Sequence, residues 1–272
     1  MIFVKSLHIY PLKSCKGIDF SDSELTRAGL RWDRNRMVVD DDGFFVTQRD
    51  LPQMAPITTA MTQAVLQIAA PGMPLLHIPL QDRSRAERRV VVWEHACSAF
   101  DEGDGASNWL TDYLGGRYRL VAFDPAHRRS SDRAWTGADE GLNRFSDGFP
   151  VLVISAASLA DLNTRLDTPI PMNRFRPNIV IEGISAYDED HLDTLSAGPI
   201  VLRVVKPCTR CEITTTDQDT GMRGAEPLQT LSGYRSNARM QGGVTFGQNA
   251  IVTGGFGQVL SVGTPLEARW TF

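Results

Sequence analysis

Residues 206–221 read KPCTRCEITTTDQDTG and follow the run VLRVV at 201–205. The β-branched residues before Pro207 read as a strand ending in a polar loop, and those after Cys211 read as a second extended segment. Two thiols three apart therefore sit at a strand end, in a chain with only two other cysteines, Cys15 and Cys97. A redox dithiol needs its first sulfur at a helix N-terminus, where the dipole favours thiolate, and EITTT does not read as a helix. A structural zinc site needs four ligands, and His8, His77, His95, His127 and His191 are too scattered to complete one. Two readings stay open. Either both cysteines are buried and inert, as free cysteine commonly is, or one soft thiolate faces a cleft with Arg210 beside it. That thiolate would be the single protein ligand of a metal whose other ligands come from a cofactor.

Outward from this loop, most of the chain reads as short strands. RMVVDDDGFFVTQ (36–48) has the form of a hairpin turning at Gly43, and AVLQIAA, LLHIPL and RRVVVWEHACSAF read as further strands. A helix is predicted near 104–114, capped by Asp104, with Ala106, Trp109, Leu110, Tyr113 and Leu114 on one stripe before Gly115. YRLVAF (118–123) opens a second strand-rich half. SAASLADLNTRL reads as a helix capped by Ser155, and Pro227 starts a shorter one. The arginine-bearing stretch 124–147 reads as a long loop, either a lid or a flexible surface segment. Many strands with few short helices predict a mainly β fold of two packed, barrel-like domains, divided as 1–117 and 118–272.

Composition narrows the function classes. A net charge of -4 argues against a general nucleic-acid binder. No segment reaches the roughly 20 apolar residues of a membrane span, and MIFVKSLHIYPLKS alternates like a strand rather than a signal peptide. Few cysteines in a chain of 272 residues suggest a reducing cytoplasm.

Further stretches carry a resemblance. PCTRCEITTTDQDTG, FRPNIVIEG and FGQNAIV resemble the MOSC domain of molybdenum-cofactor proteins. IYPLKSCKGI and GLRWDRNRMVV resemble the N-terminal β-domain that accompanies it, in the pattern of the amidoxime-reducing components. The resemblance spans about residues 3–268 and implies a molybdenum-molybdopterin cofactor. It makes Cys211 the metal ligand and catalytic centre, Cys208 a neighbour, and Lys13, Ser14, Arg34, Arg176 and Asn178 the pterin-holding residues. A pterin phosphate suits permanent cations and directional donors, although Arg34 and Arg176 read equally well as buried ion-pair partners and Lys16 as a solvated turn residue. The implied activity is reduction of small N-hydroxylated compounds; the alternative is a sulfur or cofactor carrier without turnover. Pyridoxal phosphate binding is a further family-level expectation. No four further cysteines for an iron–sulfur cluster follow, so electrons are expected from a separate flavin or iron–sulfur protein, acting on a monomer. Gln218 and the Gly148–Phe149 pair depart from the family pattern, the first expected to touch only a turn and the second a substrate-facing wall.

Overall fold

A computed structural model describes residues 1–81 and 85–271. Residues 82–84, between LLHIPL and RRVVVWEHACSAF, and Phe272 lie outside the described residues. The fold is mainly β with short helices, as expected. Among the described residues no helix is long and apolar enough to cross a membrane.

Seven strands close a barrel. Around it run Val151–Ser155, Ile179–Glu182, Ile2–Ile9, Pro265–Trp270, Leu192–Ala197, Ile200–Thr209 and Gly243–Gly254, the last pairing back onto the first. Every neighbouring pair is antiparallel except Val151–Ser155 with Ile179–Glu182. A parallel pair needs a crossover, and the helix Ala156–Thr164 forms part of it. The Ser155 side chain caps that helix, accepting from Ala157 N–H at 3.2 Å. The strand before it is buried on both faces by alternation. Val151 and Val153 enter the barrel core with Leu7, Ile179, Leu202 and Val252. Leu152 and Ile154 point outward against Leu162, Phe175 and Phe246.

A second body packs two open sheets. One runs Arg36–Val39, Arg119–Phe123, His95–Asp101, Glu87–Val92; the other is Thr58–Met61, Val65–Ala69, Leu76–Pro79. Val38 and Leu120 of the first meet Leu66, Ile68 and Ile78 of the second, with Trp109 and Leu110 of helix Asp104–Leu114. Met37, Val39 and Val121 fill the opposite face with Phe145. Three consecutive buried residues at 37–39 therefore mark a strand covered on both sides.

Several details differ from the sequence reading. RRVVVWEHACSAF is two strands, Glu87–Val92 and His95–Asp101, folded on each other at Trp93. No glycine or asparagine signals that turn; Trp93 itself takes the left-handed conformation, φ 56°. The helix at 104–114 starts on Gly103 without a side-chain cap, because Asp104 instead pairs with Arg119 at 3.0 Å. EITTT is not extended: Glu212–Thr215 form a 3-10 turn that begins at Cys211. The stretch 124–147 is folded, with a bridge pair Arg129–Ser130 to Leu142–Asn143 and a helical turn Arg133–Thr136. Arg129 pins its end by donating to the carbonyls of Arg144, Ser146 and Asp147 at 2.6–2.9 Å. Strand pairing also crosses the 117/118 division. Ile2–Ile9 belongs to the seven-stranded barrel, and Arg119–Phe123 pairs with Arg36–Val39 and His95–Asp101.

Candidate functional site at the strand ends

Segments at the ends of six strands converge on one cavity of 320 Å³, near the lower limit of ordinary small-molecule pockets (about 300–1,000 Å³). Lys13 and Ser14 follow strand Ile2–Ile9, Arg34 precedes Arg36–Val39, and Trp93 turns the 87–101 hairpin. Residues 146–149 precede Val151–Ser155, Arg176 and Asn178 precede Ile179–Glu182, and 208–211 end and follow Ile200–Thr209. All six sequence-predicted site residues thus line one space, with Cys208 and Arg210. Arg49, Trp93 and Asp147 line it too and were not foreseen.

The backbone is unusual here. Among the described residues, seven other than glycine have positive φ, and Ser14, Arg34, Trp93 and Arg176 line this cavity. Left-handed backbone costs a side-chain-bearing residue about 1–2 kcal/mol, and such conformations concentrate where a site over-determines them.

The two cysteines diverge in environment. The cysteine strand carries register shifts against Gly243–Gly254 between Val204 and Lys206 and between Pro207 and Thr209. Ile200 and Leu202 face the barrel core, whereas Cys208 packs against the outer cluster around Phe175 and Phe246. Arg210, the cation expected beside a cleft-facing thiolate, donates from Nη1 to Cys208 Sγ at 2.9 Å and from Nη2 to the Phe175 carbonyl at 2.5 Å. The cation on Cys211 Sγ is Arg49, whose Nη2 lies 3.4 Å away and also 3.4 Å from Asp147 Oδ2. Cys15 and Cys97 are buried, and burial pushes the Cys15 thiol up to about 12. Cys208 and Cys211 are the partly exposed thiols.

Five cationic side chains line the cavity, Lys13, Arg34, Arg49, Arg176 and Arg210, against one carboxylate, Asp147. Burial lowers the Lys13 pKa, opposed by its ion pair with Asp147; Nζ also donates to the Phe145 carbonyl at 2.8 Å. Partial burial alone would raise the Asp147 carboxyl, but Lys13 and Arg49 together hold it below the usual carboxylate range. Arg34 and Arg176 both sit 4.2 Å from the Tyr10 ring centroid. Arg34 pairs with buried Asp33 at 2.6 Å and donates to Asn178 Oδ1 at 3.1 Å, so its ion-pair role is present alongside its place on the cavity wall. Arg176 Nη1 donates to the Cys15 carbonyl at 2.6 Å and to Gln218 Oε1 at 3.2 Å. Gln218 therefore reaches a cavity-lining arginine and is not confined to its turn. Burial brings the Arg176 pKa down to about 10. Lys16 pairs with Asp219 at the surface, outside this cavity.

The donor set suits an anionic, metal-bearing cofactor. Among the described residues no three His, Cys, Asp or Glu side chains group as a metal site. A metal beside Cys211 must therefore bring most of its own ligands, and soft thiolate is the ligand the wall offers. Arg176 Nη2 and Arg49 Nη1 take no acceptor among the described residues, which leaves guanidinium donors for a phosphate.

Residues 1–117 match the MOSC N-terminal beta barrel domain, and residues 140–267 match the MOSC domain. The chain belongs to the MOSC family. Mitochondrial amidoxime reducing component 2 of Bos taurus is 38% identical over 247 residues, covering 85% of this chain and 72% of the relative. Mitochondrial amidoxime-reducing component 1 of Homo sapiens is 38% identical over 241 residues with the same coverage. Among solved structures, the YUAD protein of Bacillus subtilis aligns over 100% of this MOSC chain and 98% of its own, at 10% identity and TM-score 0.43.

Proposed function

We propose that this MOSC protein is a molybdenum-cofactor-dependent reductase of N-hydroxylated compounds: amidoximes, N-hydroxylamines and N-hydroxylated base analogues. The observation that carries the proposal is the partly exposed Cys211 sulfur on the wall of a cavity with five cationic side chains. Relatives named as amidoxime reducing components support the substrate class. The overall reaction is R–NHOH + 2 e⁻ + 2 H⁺ → R–NH₂ + H₂O. When bound, the molybdenum cofactor supplies the two-electron removal of oxygen from nitrogen. The chain supplies binding, orientation and electrostatics.

In this reading Cys211 Sγ is the protein's ligand to the metal. Lys13, Ser14, Arg34, Arg176 and Asn178 hold the pterin and its phosphate, with Arg–phosphate bonds giving orientation as well as attraction. Asp147, kept ionised by Lys13 and Arg49, fixes both cations at the cavity wall. Arg49 holds its guanidinium against the Cys211 sulfur, so the thiolate state carries a hydrogen-bonded counter-charge. Electrons come from a separate flavin or iron–sulfur protein to a monomeric chain. Free thiols at all four cysteines suit a reducing, cytoplasmic compartment.

The test uses protein from a molybdate-fed host, with metal and pterin content measured, a chemical reductant and benzamidoxime. Benzamidine formation is expected. Cys211→Ser is expected to abolish turnover while most pterin stays bound, and Cys208→Ser to retain activity. No turnover at full loading refutes the reductase; equal losses from both substitutions refute the ligand assignment. Stoichiometric sulfane sulfur on Cys211 without turnover identifies a carrier instead.

A further inference from the structure

Trp93 is an anomaly that the proposed chemistry does not use. It is a large aromatic residue, 42% exposed, at the tip of the hairpin joining Glu87–Val92 to His95–Asp101. Its backbone is left-handed, φ 56°, where a hairpin turn ordinarily places Gly or Asn. Exposure and strain together are a poor bargain for folding alone. Yet the indole is fixed on three sides. Nε1 donates to Asp147 Oδ1 at 3.3 Å, Arg49 stacks 4.9 Å from the ring centroid, and Phe45 lies 5.0 Å away, tilted by 55°. The same Arg49 reaches Cys211 Sγ, so one guanidinium spans the interval between the indole and the sulfur.

We propose that Trp93 is a specificity-determining residue, a preformed platform on which the planar aromatic ring of an N-hydroxylated substrate stacks beside Cys211. The inference rests on the reductase reading for its substrate class. A rigid ring whose geometry is set before binding loses little entropy on contact, and offset or edge-to-face aromatic pairing adds attraction beyond simple area burial. Its ties to Asp147 and Arg49 hold the ring at the cavity mouth, so that aromatic substrates gain a contact which aliphatic ones of the same reacting group lack. Trp93 is thus assigned to selection among substrates, and Arg49 and Asp147 to positioning it.

The experiment compares benzamidoxime with acetamidoxime on holoenzyme and on Trp93→Gly and Trp93→Phe. Glycine removes the ring and relaxes the left-handed turn, so loss of folding does not mask the result. The ratio of kcat/KM for benzamidoxime over acetamidoxime is expected to fall about three- to tenfold in Trp93→Gly, mainly through KM, and to be largely restored in Trp93→Phe. Calorimetric titration with the products, benzamidine and acetamidine, reads the same preference without turnover. A selective loss of benzamidine affinity in Trp93→Gly supports the platform even if no amidoxime is reduced, which separates it from failure of the reductase reading. An unchanged ratio in both assays, or equal loss for both compounds, overturns the proposal.

Discussion

Asp33→Ala tests how the cavity wall is held. The Asp33 side chain is 2% exposed and that of its partner Arg34 is 14% exposed. Its Oδ1 accepts from Tyr10 N–H at 2.9 Å and from Arg34 Nη1 at 2.8 Å, and Oδ2 accepts from the same nitrogen at 2.6 Å. Truncation leaves a largely buried guanidinium without its counter-charge and a buried amide without its acceptor. Breaking a buried pair from one side costs about 3–5 kcal/mol, and an orphaned amide about 1–3 kcal/mol more. Arg34 keeps contact with the cavity, so the total should lie near about 3–5 kcal/mol rather than at the sum. Asp33→Asn can still accept from Tyr10 N–H and should recover about 1 kcal/mol of that loss. At about 2–4 °C per kcal/mol for a chain of this size, Asp33→Ala lowers Tm by about 6–20 °C. Urea unfolding followed by circular dichroism reads the free energy directly. Removing both charges in Asp33→Ala/Arg34→Met should cost less than Asp33→Ala alone, because no unpaired cation remains. A loss below about 1 kcal/mol with an unchanged m-value, or a double variant worse than the single one, refutes the reasoning.

Two further outcomes follow from the same kind of accounting. Ser155→Ala removes the cap of helix Ala156–Thr164 and should cost about 1 kcal/mol in a urea melt, with the far-ultraviolet spectrum preserved. Glu189 is buried, and its two oxygens accept from Ser158 Oγ, each at 2.7 Å, while Oε1 accepts from Ser155 N–H at 3.1 Å. Burial raises its pKa above the ordinary 4.5 despite those bonds. The folded state then retains a proton that the unfolded state releases, so its contribution is complete below 4.5 and is lost as pH rises through the folded value. Glu189→Gln should flatten the stability profile over that window. A parallel decline in wild type and variant places the titration elsewhere.

The β character, the helices at 104–114 and after Ser155, and the two-thiol loop were legible because each rests on local pattern. Hydrophobic alternation, cap chemistry and strand-ending glycine act within a few residues. Lys13, Ser14, Arg34, Arg176, Asn178 and Cys211 could be singled out through motif resemblance, not through spacing, since they lie on four separate segments. Arg49, Trp93 and Asp147 carried no such signal. Arg49 sits in an ordinary polar stretch, Trp93 lies inside what reads as one continuous strand, and Asp147 ends a segment that resembles a surface loop.

By itself, the sequence determined the periodicities, the chemistry available and the placement of Cys208 and Cys211 around the end of one strand. Only the tertiary structure decided which guanidinium reaches which sulfur, Arg210 on Cys208 and Arg49 on Cys211. Bulges in the cysteine strand are set by pairing with Gly243–Gly254, and a register shift of one residue turns a side chain to the opposite face. Residues 13, 147 and 211, beyond the ends of barrel strands, likewise meet Arg49 of the second body only in the folded chain. That proximity depends on strand pairing across the whole chain, so no local reading of its segments contains it.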